Sequence, residues 1–119
     1  MTTPADVTTL KPLAWASGSH DELCGFPHYP RTEAGHQLYQ VQLGITPTDS
    51  KLMSRVGAGV RELRIQAANR THFRVFYWVT PKHVWVLHAF KKNQENTPPV
   101  NISTGRRRYA EANRREAAG

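Results

Sequence analysis

The stretch HFRVFYWVTPKHVWVLHAF, residues 72–90, limits what this chain can fold into more than any other part of it. Both halves are rich in β-branched and aromatic residues, and Thr-Pro-Lys between them is a short connection of the kind that closes a hairpin. A third segment, VRELRIQ at 60–66, alternates strictly: Arg61, Leu63 and Ile65 share one face, Val60, Glu62 and Arg64 the other. AANRT supplies the turn that leads from it into residue 72. Three consecutive strands with short connections predict an antiparallel meander.

The turn sets the register. If Pro81 and Lys82 are its two residues, Thr80 pairs with His83, Trp78 faces Trp85, Phe76 faces Leu87, Arg74 faces Ala89 and His72 faces Lys91. The opposite face then carries Phe73, Val75, Tyr77, Val79, Val84, Val86, His88 and Phe90, an almost wholly apolar set that reads as the core. His88 is there a hydrogen-bonded core histidine. A three-residue turn shifts the pairing by one and brings His88 beside Phe76 and Arg74. The sequence fits both.

The flanking segments read as helices and short strands. PLAWA, 12–16, is a first strand, and Ser19 caps a short helix through Leu23 that Pro27 stops. Residues 30–44 predict a longer helix with Thr32 at its N-cap, Ala34, Leu38 and Val41 on one face, and Gly44 at its C-terminal end. Residues 45–59 read as a loop. After the sheet, Thr97 is an N-cap candidate followed by prolines suited to a first helical turn, and Gly105 interrupts what comes next. The expectation is one α+β domain over 12–119 after a flexible arm at 1–11. Its antiparallel sheet of three to four strands packs against N-terminal helices and a C-terminal helix. Both sets of helices are expected on one face, leaving the other free for a ligand.

Charge says what that ligand is. Residues 51–92 hold nine Lys/Arg against Glu62 alone, whereas residues 1–50 carry more acids than bases. A cationic excess confined to the sheet points to a polyanion, nucleic acid first. Arg64, Arg74 and Lys91, with Lys92 beside it, form a cationic cluster on the free face. Trp78, Trp85 and Phe76 add aromatic surface for base stacking, and Arg61, His72 and Lys82 complete the nucleic-acid-binding candidates. A plainer alternative has Arg64 paired with Glu62 or a helix acid, and the tryptophans packed under a loop. No phosphate-binding Gly-rich loop, nucleophile elbow or H-E-x-x-H motif is present. The six histidines show no ligand spacing, and Cys24 is alone, so no metal or other cofactor is expected. No apolar run is long enough to span a bilayer and the N-terminal residues do not read as a signal peptide, so a soluble cytoplasmic protein is expected.

Taken in order, W-x-x-G-S (15–19), F-P (26–27), GHQLYQVQLG (35–44), PTDSKLM (47–53), VGAGVRELR (56–64), FRVFY (73–77), VLHAFKK (86–92) and T-P (97–98) resemble the phage-derived HigB-like toxins of the RelE superfamily. The resemblance covers residues 12–105. It implies a compact α+β fold and an endoribonuclease that cuts mRNA, usually on the ribosome, as the toxin of a type II toxin–antitoxin pair. It further implies that Arg74 stabilises the scissile phosphate, that Arg64 and the pair Lys91–Lys92 are functional, and that a helix-turn-helix antitoxin is the partner. DNA would be contacted only through that antitoxin. Near the C-terminus, where some relatives have a functional tyrosine or histidine, only Tyr109 is available.

The implied chemistry suits the residues. Attack of the 2′-hydroxyl on the adjacent phosphate requires one proton removed, phosphorane charge neutralised and the leaving 5′-oxygen protonated. Arginines grip phosphoryl oxygens bidentately but are poor bases. A lysine crowded by cations can move a proton. Arg64 and Arg74 are thus assigned to charge stabilisation and Lys91 or Lys92 to proton transfer, with His72 or His88 as rivals. The competing expectations are a non-catalytic RNA- or ribosome-binding module and a part of a DNA-bound toxin–antitoxin repressor complex.

Overall fold

The computed structural model describes residues 10–93 and 97–119, so most of the expected arm at 1–11 lies outside the described residues. β1 (Leu13–Trp15) is followed by α1 (Ser19–Cys24), α2 (His28–Gln42), β2 (Ser50–Leu52), β3 (Val60–Gln66), β4 (His72–Val79), β5 (Val84–Lys92) and α3 (Pro99–Ala118). The fold is α+β, with a five-stranded sheet in the order β1-β5-β4-β3-β2. That is one strand more than expected, because β2 pairs antiparallel with β3 through Ser50↔Leu63, Lys51↔Glu62 and Leu52↔Arg61. β1 runs parallel to β5, with Ala14 opposite Trp85.

Helices cover both faces of the sheet, not one. Leu23 of α1 and Ala34, Leu38 and Val41 of α2 pack on Leu63, Ile65, Phe73, Val75, Tyr77 and Val86. On the other side Ile102 and Ala112 of α3 cover Val60, Phe76, Trp85, Leu87 and Phe90. The reason lies in β4 and β5, whose apolar residues run on almost without alternation, the pattern of strands buried on both faces. The ligand-accessible part of the sheet is thereby restricted to the end that α3 leaves open.

A β-bulge decides which side chains meet there. From the hairpin, Val79↔Val84, Trp78↔Trp85 and Tyr77↔Val86 follow the two-residue-turn register; between Phe76 and Tyr77 it shifts. Leu87 is the extra residue, and beyond it Phe76 faces His88, Arg74 faces Phe90 and His72 faces Lys92. Each of the two possible registers therefore holds over half of the hairpin. The shift turns Ala89 toward α2 and Phe90 toward α3, the reverse of the two-residue-turn expectation.

The bulge lies where β5 runs past the end of short β1, and side chains satisfy its free edge. Glu22 Oε1 accepts from the Ala89 backbone N–H at 3.1 Å, and Arg108 Nη1 donates to the Leu87 carbonyl at 3.2 Å and to Glu22 at 2.7 Å. An exposed edge is converted into a closed polar seam between α1 and α3. Burial pushes the Glu22 carboxyl up, but hydrogen bonds from His88, Arg108 and Ala89 outweigh it and hold the pKa at about 2.

Helix ends differ from expectation in informative ways. α2 begins at His28, one turn before Thr32, because Pro27 turns the chain in and its carbonyl accepts from Arg31 N at 3.0 Å. Ser19 does not cap α1; its hydroxyl donates to the Ala16 carbonyl, and Gly18 occupies the N-cap at φ 84°. α3 starts at Pro99, with Pro98 at its N-cap, and runs unbroken through Gly105. A Cβ at Gly105 would lie 2.9 Å from Phe76 and from Val56, so glycine there lets α3 approach the sheet closely. The far end of α3 is tied by Glu116, whose carboxylate accepts from Thr80 Oγ1 at 2.6 Å and Trp85 Nε1 at 2.7 Å and meets His83 Nδ1 at 2.9 Å.

Candidate active site

Glu62, Arg64, Arg74 and Lys92 converge at the open end of the α3 face. Glu62 and Arg64 sit two apart on β3, Arg64 is directly opposite Arg74 on β4, and the bulge brings Lys92 to the same face. Glu62 is 1% exposed, Lys92 3% and Arg74 7%. The Nε atoms of Arg64 and Arg74 lie 3.6 and 3.7 Å from Glu62 Oε1, and Thr97 Oγ1 donates to Glu62 Oε2 at 3.2 Å. One carboxylate thus faces several cations.

Both Nε–H groups are buried without a hydrogen-bond acceptor among the described residues. At 3.6–3.7 Å from Glu62 they feel its charge but form no hydrogen bond. Arg74 also donates from Nη1 to the Phe73 carbonyl at 3.2 Å. Burial pushes the Arg74 pKa below its ordinary value, against the opposing charge of Glu62, although an arginine stays protonated at neutral pH. Burial likewise lowers the Lys92 pKa, and the charge of Arg74 adds to the effect; Glu62 opposes it, and Arg64 and Lys51 contribute in the same sense as Arg74. A pocket of about 140 Å³ opens onto this group, lined by Glu62, Arg64, Lys92, Thr97, Lys51 and Arg55 among others. Its walls bear four cationic side chains and one carboxylate, an arrangement suited to a phosphate.

Not every candidate residue comes to this place. Lys91 lies on the opposite face, exposed beside Phe73 and Pro27, because the bulge gives its expected position to Lys92. His72 pairs with Lys92 across the strands and shares the face of Arg74. His88 is separated from Lys92 by Phe90, and four residues of strand place their Cα atoms about 13 Å apart. Its ring is buried and tied, Nδ1 to Glu22 at 3.0 Å and Nε2 to Asn101 at 2.7 Å, and it stacks on Phe90 at 4.8 Å. It belongs to the polar seam.

Trp85 is covered by α3, donates to Glu116 and carries the Arg115 guanidinium 4.8 Å over its ring, so its faces are occupied. Trp78 is half-buried against Tyr109, ring centroids 5.0 Å apart. Tyr109 packs over Gly57 and donates to the Ala58 carbonyl at 2.9 Å. Arg61 is on the α2 face, bonded to Ser50, and Lys82 is exposed at the hairpin tip. Of the plainer alternatives, the pairing of Arg64 with Glu62 is present and so is the packing of the tryptophans, under a helix instead of a loop.

Glu62 is the site residue that sequence reading passed over. Its isolation among nine cations was visible, and a lone acid alternating inward on a strand beside two arginines is the signal that marks it. Among the described residues no three His, Cys, Asp or Glu side chains gather as a metal-binding group, and no helix is long and apolar enough to cross a membrane.

Among curated proteins none matches this chain. The family model described as Phage derived protein Gp49-like (DUF891) matches residues 21–110, from α1 to the middle of α3, and so takes in Glu62, Arg64, Arg74 and Lys92. With most of the chain and the whole cationic pocket inside the match, the protein belongs to the phage-derived Gp49-like family, a RelE/toxin-like family.

Proposed function

We propose that the protein is a HigB-like toxin that cleaves mRNA, in association with the ribosome, without a metal. The observation that carries this reading is buried Lys92 beside Arg64 in a phosphate-sized pocket whose single carboxylate, Glu62, also faces buried Arg74. Arg64 at the pocket wall holds the non-bridging oxygens, and buried Arg74 behind Glu62 adds its charge to offset what grows on the phosphorane. Glu62 is a positioning residue: it aims both guanidinia and offsets part of their charge before RNA arrives. Lys92, its ammonium destabilised by burial and by Arg74, protonates the leaving 5′-oxygen.

The proton leaving the 2′-hydroxyl passes to a base on the same face, for which His72 is the residue of the right type. The 2′-oxygen–phosphorus bond forms as the 5′-oxygen–phosphorus bond breaks, giving a 2′,3′-cyclic phosphate and a 5′-hydroxyl. No other reactant is consumed. A helix-turn-helix antitoxin is the proposed partner that silences this activity and carries any DNA contact.

The test is incubation of translating ribosomes with the purified protein, followed by mapping of mRNA 5′ ends. New 5′-hydroxyl ends that disappear with Arg74→Ala support the proposal. Intact messages with retained ribosome binding would make the protein a non-catalytic RNA- or ribosome-binding module.

A further inference from the structure

α3 sorts its charges by face. It carries five arginines and two glutamates, and both glutamates turn inward. Glu111 accepts from Ser17 N at 3.1 Å and from Arg115 Nη1 at 2.7 Å, and Glu116 holds Thr80, Trp85 and His83. Arg108 reaches across to Glu22 at 2.7 Å. Arg106, Arg107 and Arg114 remain, all exposed, and none of them has an acidic partner among the described residues. No exposed residue of α3 is acidic.

Helix stability does not explain this face. The helix dipole favours a cation in the last turn, where only Arg115 lies. A helix face that serves solubility mixes signs, with acids three or four residues from bases. Glu111 is the one acid of α3 at that spacing from Arg107 and Arg114, and it is turned to Ser17 and Arg115 instead. Between the free arginines the exposed residues are small: Ser103, Ala110 and Ala117 share the face of Arg107 and Arg114 at helical spacing. Long cations separated by short side chains leave room for a polyanion to lie along the helix.

The face adjoins the candidate active site. Arg106 Nε donates to the Arg55 carbonyl at 2.7 Å, and Arg55 lines the phosphate-sized pocket together with Lys51. From there Arg107 and Arg114, seven residues apart, carry the cationic surface about 10 Å further along α3. We propose that Arg55, Arg106, Arg107 and Arg114 form a track for the backbone of single-stranded RNA leaving the pocket. This rests on the RNA-cleaving function proposed above, and it adds that the substrate is gripped well beyond the scissile phosphate. Contacts of this kind go to phosphates and select no sequence. They add affinity, dependent on salt, to any RNA long enough to span them.

The test is equilibrium binding of an uncleavable 2′-O-methyl trinucleotide and of a nonanucleotide of the same base, which needs no catalysis. The nonanucleotide should bind tighter, and its advantage should fall roughly twentyfold between about 50 and 200 mM salt, the scale of three phosphate contacts to a single strand. Arg106→Gln/Arg107→Gln/Arg114→Gln should bind the nonanucleotide no tighter than the trinucleotide, with thermal melting as the check on folding. Arg106→Lys/Arg107→Lys/Arg114→Lys should keep the advantage, because a point charge suffices for a phosphate. Equal affinity of the wild type for both lengths would overturn the track and leave RNA cleavage standing on its mapped ends. Weakening of both lengths alike in the glutamine variant would overturn it too. A glutamine variant that keeps the length advantage but no longer sediments with ribosomes would also overturn it, assigning the face to the ribosome. Binding of neither length overturns the track, while the 5′ ends mapped on translating ribosomes decide the cleavage reading separately.

Discussion

Arg74 Nε lies 3.7 Å from Glu62 Oε1 in a place where both side chains are nearly sealed from solvent. The carboxylate is shared with Arg64 at 3.6 Å, so its removal leaves a buried guanidinium without a counter-charge. Breaking a buried pair from one side costs about 3–5 kcal/mol, whereas replacing both partners by apolar groups costs far less. Glu62→Leu should therefore lower the urea unfolding midpoint strongly, and Glu62→Leu/Arg74→Met should recover much of the loss. A double mutant no more stable than the single one would show that the two residues are not coupled.

Lys92 is expected to oppose stability while serving function. Its folded pKa lies below the ordinary lysine value, first through burial and then through Arg74. The unfolded chain therefore binds the proton more tightly, and stability rises with pH from the folded pKa up to the unfolded value near about 10.4. At neutral pH the charged form is a burden on the fold. Lys92→Met should raise the urea midpoint at pH 7 and flatten the rise of stability between neutral and alkaline pH, while abolishing cleavage. A lower midpoint together with lost activity would mean that Lys92 is a structural ion-pair member.

Acid should undo the two polar anchors of α1 and α3. Glu22 and Glu116 both titrate at about 2 in the folded protein, from an ordinary value of 4.5. For Glu116, burial pushes upward but is outweighed by hydrogen bonds from Thr80, Trp85 and His83. Lowered carboxyl values contribute stability that is complete above about 4.5 and is lost as pH falls through about 2. Glu116→Gln should cost about 1.5–3 kcal/mol at pH 7, the scale of hydrogen bonds to a charged acceptor, and should make denaturation between pH 4.5 and 2 less steep. Denaturation curves at pH 7, 4 and 2 measure both.

Gly105 tests whether close packing outweighs helix propensity. Alanine in a helix interior gains about 1 kcal/mol over glycine. The new methyl, however, would lie 2.9 Å from both Phe76 and Val56 in the core, and overpacking costs about 1–3 kcal/mol. Gly105→Ala should thus lower the melting temperature. A rise would show that α3 can shift outward freely.

The strands were legible where local pattern fixes them: β3 and β4 have the bounds that alternation and apolar runs predict, Val60–Gln66 and His72–Val79. The bulge at Leu87 was not, because both registers satisfy the sequence and the choice depends on what α1 and α3 bring to the free edge of β5. β2 was missed since Ser-Lys-Leu has little strand character of its own and extends only by pairing with β3. The continuity of α3 through Gly105 depends on contact with Phe76, a residue 29 positions away. At the site, Arg64 and Arg74 were recognisable as facing residues. The choice of Lys92 over Lys91 required the bulge, and the role of Glu62 required seeing two guanidinia aimed at one oxygen.

The most direct measurement compares Lys91→Ala with Lys92→Ala in the mRNA cleavage reaction on translating ribosomes. Cleavage with Lys91→Ala should stay within about threefold of wild type, since its side chain faces away from the pocket. Lys92→Ala should lose about 10²–10⁴-fold, the scale of a removed proton-transfer group. Full activity in Lys92→Ala, or loss in Lys91→Ala alone, would contradict the assignment of the buried lysine beside Arg74 as the group that moves the proton.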